Sequence, residues 1–155
     1  DNDGVLVSGI YHPDLDELFL ADREKSTLNG LVVKVSETKN LSEAIVSVNC
    51  NQSDVKMDEN KLNKLVSKLS PPATRRVRIL ESANLEMAYV ACGRMDAYIN
   101  FDDKIWDIAG GSLMISSAGG ATSIHKGSIL NLSHCRGVTA TNKHLAKQLL
   151  PLLEK

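Results

Sequence analysis

Asp107 is the residue of this chain best mounted to do chemistry. It follows Trp106 at the head of the run WDIAGGSLMISSAGG, whose spacing predicts a helix closed by a double glycine. A carboxylate in a first helical turn faces the positive end of the helix macrodipole and is held rigidly enough to grip a metal ion. The same position suits an ordinary N-terminal cap, which is the commoner use of Asp there. The small residues Ala109, Gly110 and Gly111 let a second element come close, and Gly119-Gly120 supplies a left-handed helix end.

Two further groups have chemical potential. Ser82 heads a helix expected over residues 83–92, where free backbone N–H groups favour anionic or hydroxylated ligands; a plain cap is compatible with that role. Arg75, Arg76 and Arg78 precede it, and strand alternation puts Arg76 and Arg78 on one face. One of these arginines could take a phosphate in bidentate fashion, although a solvated sheet edge is the simpler reading. Asp102 and Asp103 are adjacent, so their side chains diverge and read as solvated. His12, His125, His134 and His144 are too scattered to make a site, and Cys92 reads as core.

These residues need a scaffold, and 155 residues are enough for one domain with a sizeable core. With 43% hydrophobic and 24% charged residues the composition is that of an ordinary globular chain. A net charge of −1 leaves no electrostatic footprint for nucleic acid or an anionic membrane. No apolar run approaches the roughly 20 residues of a spanning helix. The three cysteines, Cys50, Cys92 and Cys135, show neither zinc spacing nor a disulfide framework, which fits a reducing cytoplasm.

Asn2-Asp3-Gly4 reads as a hairpin turn, so a strand is expected before it and the chain is expected to be a fragment. Strands are expected over 5–10, 17–21 and 31–35, with turns at His12-Pro13-Asp14 and Asn29-Gly30. A buried strand over 44–49 precedes an amphipathic helix over 58–70, with Asp58 as its cap and Leu62, Leu65, Val66 and Leu69 as its apolar stripe. Then follow a strand over 76–80, the helix over 83–92 ended by Gly93, a strand over 96–101 and the helix over 106–118. Strands over 121–124 and 137–140 and a helix over 142–154, frayed by Pro151, complete the chain. Strands alternating with helices after residue 44 argue for a largely parallel or mixed sheet covered on both faces.

Four segments together resemble the inositol monophosphatase family, the Mg-dependent, lithium-sensitive phosphomonoesterases. The run from Trp106 to Gly120 matches its C-terminal signature. GIYHPDLDELFLADREKSTLNG is similar to its strand–turn–strand segment, ESANLEMAYVACGRMDAYINF to its helix ending in G-R-x-D-A-Y, and GVTATNKHLAKQLL to its closing strand and helix. The segments stand in family order and leave only residues 33–74 poorly matched.

The resemblance implies an α/β fold: the C-terminal half of an αβαβα layered sugar-phosphatase, with a mixed sheet flanked by helices. Residues 1–40 would be remnant antiparallel strands of a truncated N-terminal sheet, and 41–155 a C-terminal α/β domain. It implies hydrolysis of a small-molecule phosphate ester, an inositol phosphate or a sugar phosphate such as fructose 1,6-bisphosphate, with two or three Mg²⁺ ions and inhibition by Li⁺. Asp107 would be the catalytic residue, as a ligand of the second Mg²⁺, and Trp106 packing at the helix start. Ser82 and Ala83 would lie beside the substrate. Glu81 stands where most relatives carry Gly, and Asn100 where inositol-specific members carry Glu; Arg76 would hold a second phosphate. The family pattern carries a cytoplasmic homodimer with no nucleic-acid or membrane partner. Its upstream D-P-[ILV]-D-G-[TS] motif, the source of most metal ligands, does not occur in this sequence, so the segment alone is expected to be inactive. A nucleotide 3′-phosphatase of the same superfamily and an inactive binding or dimerisation module are the alternatives.

Overall fold

Strands β1 (Ser8–His12) and β2 (Glu17–Ala21) form an antiparallel pair around a tight turn at Pro13–Leu15. This is a computed structural model, and it describes residues 4–49, 59–101, 104–123 and 137–153, with the side chains of 59–62 left aside. Asp16 closes the turn in the left-handed region, φ 50°, and its carboxylate accepts from the Tyr11 hydroxyl at 2.9 Å. Strands β3 (Ser26–Leu28) and β4 (Leu31–Val33) extend the sheet in the order β1-β2-β3-β4. Asn29 and Gly30, at φ 48° and 82°, make the hairpin between them, which suits the twist of the flanking strands. Alternation along β2 turns Phe19 and Ala21 inward and leaves Leu18 and Leu20 exposed.

The second sheet has five strands in the order β6-β5-β7-β9-β8. Strand β5 (Ile45–Asn49) runs parallel to β6 (Arg76–Arg78) on one side and to β7 (Ala97–Asn100) on the other. Strand β9 (Val138–Thr141) is antiparallel to both β7 and β8 (Ala121–Ser123). The sheet is therefore mixed, as the alternation of elements predicts. One face carries α1 (Glu59–Leu69) and α4 (Ala146–Leu153), with Val46, Val48, Leu65, Leu69, Ile99 and Leu149 in the shared core. The other face carries α2 (Ala83–Ala91) and α3 (Ile105–Ser117), and the four-stranded sheet packs on their far side through Phe19 and Ala21. The layers run helix, sheet, helix, sheet.

Several boundaries shift for local reasons. β1 begins at Ser8 rather than residue 5, because its pairing with β2 ends at Ser8–Ala21. β6 ends at Arg78: the Leu80 amide leaves the sheet to donate to the Glu86 carboxylate at 3.2 Å. α4 starts at Ala146 rather than 142, because the Asn142 side chain first accepts the amides of His144 and Leu145 at 3.0 and 3.1 Å. Pro151 lies inside α4, whose described part runs to Leu153. The strand β3 is not among the expected elements; it forms by antiparallel pairing with β2 on one side and β4 on the other. The expected cap at Asp58 and turn at Asn2-Asp3 lie outside the described residues, as do Cys50, Asp102, Asp103, His125, His134 and Cys135.

Candidate functional site

The carboxyl ends of β5 and β7 meet at Asn49 and Asn100, which are register partners in the parallel pair. Ligands of open α/β sheets bind outside the carboxyl ends of their strands, where helix N-termini gather. Here α2 follows β6 and α3 follows β7, so both helices begin at this edge. Glu81, Ser82 and Ala83 lead into α2, and Asp107 sits in the first turn of α3.

Asp107 is the third residue of its helix, and its Oδ2 accepts the Lys104 amide at 3.1 Å. It therefore caps the helix, half-buried, and the cap leaves the second carboxylate oxygen available for another bond. Behind it the small residues do what their size suggests. A Cβ added at Gly110 would lie 2.7 Å from the Ser8 hydroxyl, and one at Gly111 would lie 2.6 Å from the Met87 Cβ. The Ser8 hydroxyl can turn aside, but the Met87 Cβ is fixed to its helix, so a larger residue at position 111 would push α3, and Asp107 with it, away from α2.

Trp106 departs from expectation. Among the described residues it is 69% exposed rather than packed into the core, and its ring has the Lys104 ammonium 5.8 Å from its centroid. The reason is helical phase: Ile108, Gly111, Met114 and Ile115 face the core, and position 106 lies on the opposite side.

Ser82 occupies the N-cap position of α2, but its hydroxyl makes no cap hydrogen bond. Its amide instead donates to Glu86 Oε2 at 3.2 Å. Glu81 is exposed and adopts φ 60°, a left-handed conformation that glycine takes without strain. Asn100 is buried at the end of β7. Arg76 is not brought to this edge. It pairs with Ile45, at the opposite end of β5 from Asn49, about 13 Å away along the strand. Its guanidinium donates to the Arg75 carbonyl at 2.8 Å on an exposed edge strand.

Sequence reasoning passed over three residues that organise the surroundings. The buried Glu86 gathers four donors at the strand edge. Asp96 accepts the Ile45 amide at 2.7 Å and the Ser36 hydroxyl at 2.5 Å, tying the start of β5 to β7. Arg94 grips Glu17 through Nη1–Oε2 at 2.7 Å and Nη2–Oε1 at 2.6 Å, and lies 5.2 Å from the Tyr89 ring centroid. The acidic and basic positions of the G-R-x-D run in the sequence were the available signal for the last two.

The inositol monophosphatase family model matches residues 1–155. Inositol monophosphatase 3 of Solanum lycopersicum is 32% identical over 155 residues, 96% of this chain and 56% of the relative. A Thermotoga maritima protein named fructose-1,6-bisphosphatase/inositol-1-monophosphatase is 31% identical over 132 residues, covering 84% of this chain and 48% of the relative. Among solved structures, a Thermotoga maritima IMPase superposes with a TM-score of 0.89 at 27% identity, over 99% of this chain and 57% of that one. The chain thus spans about half the length of the curated relatives it matches.

Proposed function

The chain belongs to the inositol monophosphatase family, and from that premise we propose that the protein carrying it is a metal-dependent phosphomonoesterase. The observation that carries the reading is the shared strand edge: the first turn of α3 with Asp107, the N-terminus of α2 with Ser82 and Ala83, and Asn100 at the end of β7. Helix N-termini converging on one edge suit a phosphate, and neighbouring hydroxyl and carboxamide groups suit a polyol.

The metal needs more than these residues. Among the described residues no group of three or more His, Cys, Asp or Glu is placed to hold an ion. Mg²⁺ demands six oxygen ligands in near-octahedral geometry, usually through one or two carboxylates with water and substrate phosphate. Asp107 alone does not make a centre, but it fits as one donor, its second oxygen lying beyond the cap bond. When bound, such an ion would lower the pKa of a water and neutralise phosphoryl oxygens. The remaining carboxylates would come from the part of the fold that this segment lacks. The exposed leucines of the four-stranded sheet, Leu18 and Leu20, support a further layer over that face.

The substrate in this reading is an inositol phosphate or a sugar phosphate such as fructose 1,6-bisphosphate. Arg76, at the wrong end of β5, is left out of it. The protein would be a cytoplasmic homodimer; among the described residues no helix is long and apolar enough to cross a membrane. The test is a side-by-side assay of the complete protein on inositol 1-phosphate, fructose 1,6-bisphosphate and adenosine 3′,5′-bisphosphate across a Mg²⁺ series. Turnover of either of the first two supports the reading. Preference for the third makes the protein a nucleotide 3′-phosphatase, and no turnover at any Mg²⁺ level makes it an inactive module.

A further inference from the structure

Glu86 has no solvent exposure and is the most buried acid among the described residues. Its carboxylate sits between two parts of the strand edge that are distant in sequence. From β5 it takes the Ser47 hydroxyl on Oε1 and the Asn49 carboxamide N–H on Oε2 at 3.4 Å. From the segment entering α2 it takes the Leu80 amide on Oε1 and the Ser82 amide on Oε2, both at 3.2 Å. Four donors converge on one acceptor-only group.

The consequences follow from that chemistry. Two backbone N–H groups on either side of Glu81 are pinned, which holds residue 81 in its left-handed conformation and sets the direction in which Ser82 and Ala83 enter the helix. The Asn49 carboxamide is oriented as well, because a carboxylate accepts only from its N–H side; its Oδ1, buried and with no partner among the described residues, is left facing other groups than Glu86. A neutral carboxamide at position 86 could not do the same, since one of its two ends would present hydrogens to groups that already donate.

We propose that Glu86 is a positioning residue for the substrate edge, holding the segment from Leu80 to Ala83 and the end of β5 in one arrangement. It acts through those groups rather than by touching substrate. The assignment rests on the phosphatase reading for its kinetic consequence, but its structural content does not.

The experiment uses the complete protein with Glu86→Gln, which conserves volume, and Ser47→Ala, which removes one donor while leaving the carboxylate. For the best substrate of the wild-type protein, Glu86→Gln should raise KM about tenfold with kcat held within about threefold, since misplacement of a binding segment is read mainly in KM. Ser47→Ala should raise KM about threefold or less. Amide exchange at Leu80 and Ser82 should speed up at least about tenfold in Glu86→Gln while the amides of Met87 to Val90 keep their protection. A wild-type KM together with unchanged exchange at Leu80 and Ser82 overturns the proposal, as does a uniform loss of protection along α2, which would mark Glu86 as a plain folding residue. If the wild-type protein turns over no phosphate ester, the phosphatase reading fails and the exchange arm still decides whether Glu86 positions the segment.

Discussion

Gly111 of α3 stands so close to Met87 of α2 that a Cβ added at Gly111 would lie 2.6 Å from the Met87 Cβ and 2.7 Å from its sulfur. The Cβ of Met87 is fixed to the helix backbone, so the clash cannot be relieved by turning a side chain. Overpacking of this kind costs about 1–3 kcal/mol. Gly111→Ala is therefore expected to destabilise the complete protein by about 2 kcal/mol in urea unfolding. Gly119→Ala is the contrast: an added Cβ there meets open space, but φ is 89°, so only backbone strain of about 1 kcal/mol is expected. Equal effects of the two substitutions would show that the α2–α3 contact is looser than described.

Asp107 combines a cap and a proposed ligand in one carboxylate, and substitution separates the two. Asp107→Asn keeps an oxygen to accept the Lys104 amide but loses the charge. The stability loss should be about 0.3–1 kcal/mol, the worth of a charge at a helix N-terminus. Turnover should fall on the order of 100-fold or more if the carboxylate holds a metal ion. Asp107→Ala should lose the cap as well, about 1 kcal/mol. Near-wild-type turnover of Asp107→Asn at saturating Mg²⁺ would remove Asp107 from the site.

How far the sequence reaches can be judged from particular residues. The signature helix, the turns at Asn29-Gly30 and Gly93, and the alternation that makes a mixed sheet are local features, and the structure has them. Glu86 was not legible. In ANLEMAYVA it looks like one polar position on a short helix, and only Ser47 and Asn49, from a strand 37–39 residues upstream, turn it into a buried acceptor. The place of Arg76 is hidden for a related reason: alternation gives the face of a strand residue, whereas its end depends on register, and register comes from pairing with Ile45. Trp106 shows a third limit. A tryptophan beside a helix start is ordinarily core, but the phase of Ile108, Met114 and Ile115 turns it outward.

The pair Arg94–Glu17 fastens the helix layer to the four-stranded sheet and should make stability depend on acid. The Arg94 guanidinium, hydrogen-bonded to both oxygens, holds the Glu17 carboxyl below its usual range. A carboxyl lowered in the folded state adds stability that is fully present above its unfolded value and is lost as pH falls through the folded one. The pair is partly exposed, so about 0.5–1 kcal/mol is expected at neutral pH. Glu17→Gln should be less stable than wild type by that amount near pH 7, with the gap closing as pH falls below the ordinary carboxylate range. Arg94→Met should keep part of its loss at both, because the cation over Tyr89 does not depend on the carboxyl. A gap for Glu17→Gln that does not change with pH would mean that the two side chains are not coupled in solution.

Glu81 joins a backbone cost to a charge at the substrate edge, and one substitution addresses both. At φ 60° a side chain with a Cβ is strained by about 1–2 kcal/mol, while glycine loses about 0.5–1 kcal/mol more chain entropy on folding. Glu81→Gly should thus leave stability unchanged or raise it slightly, and Glu81→Val should lower it, because a branched Cβ fits this region worst. The carboxylate is exposed beside the N-terminus of α2, where an incoming phosphate ester would feel its repulsion. Removing it should lower KM about threefold at low ionic strength, with the gain fading at high salt as the charge is screened. Glu81→Gln separates the terms, since it removes the charge but keeps the strain. It should reproduce the salt-dependent fall in KM without any gain in stability. If neither variant changes KM at low salt, residue 81 does not border the bound substrate, and the site must open elsewhere along the ends of β5 and β7.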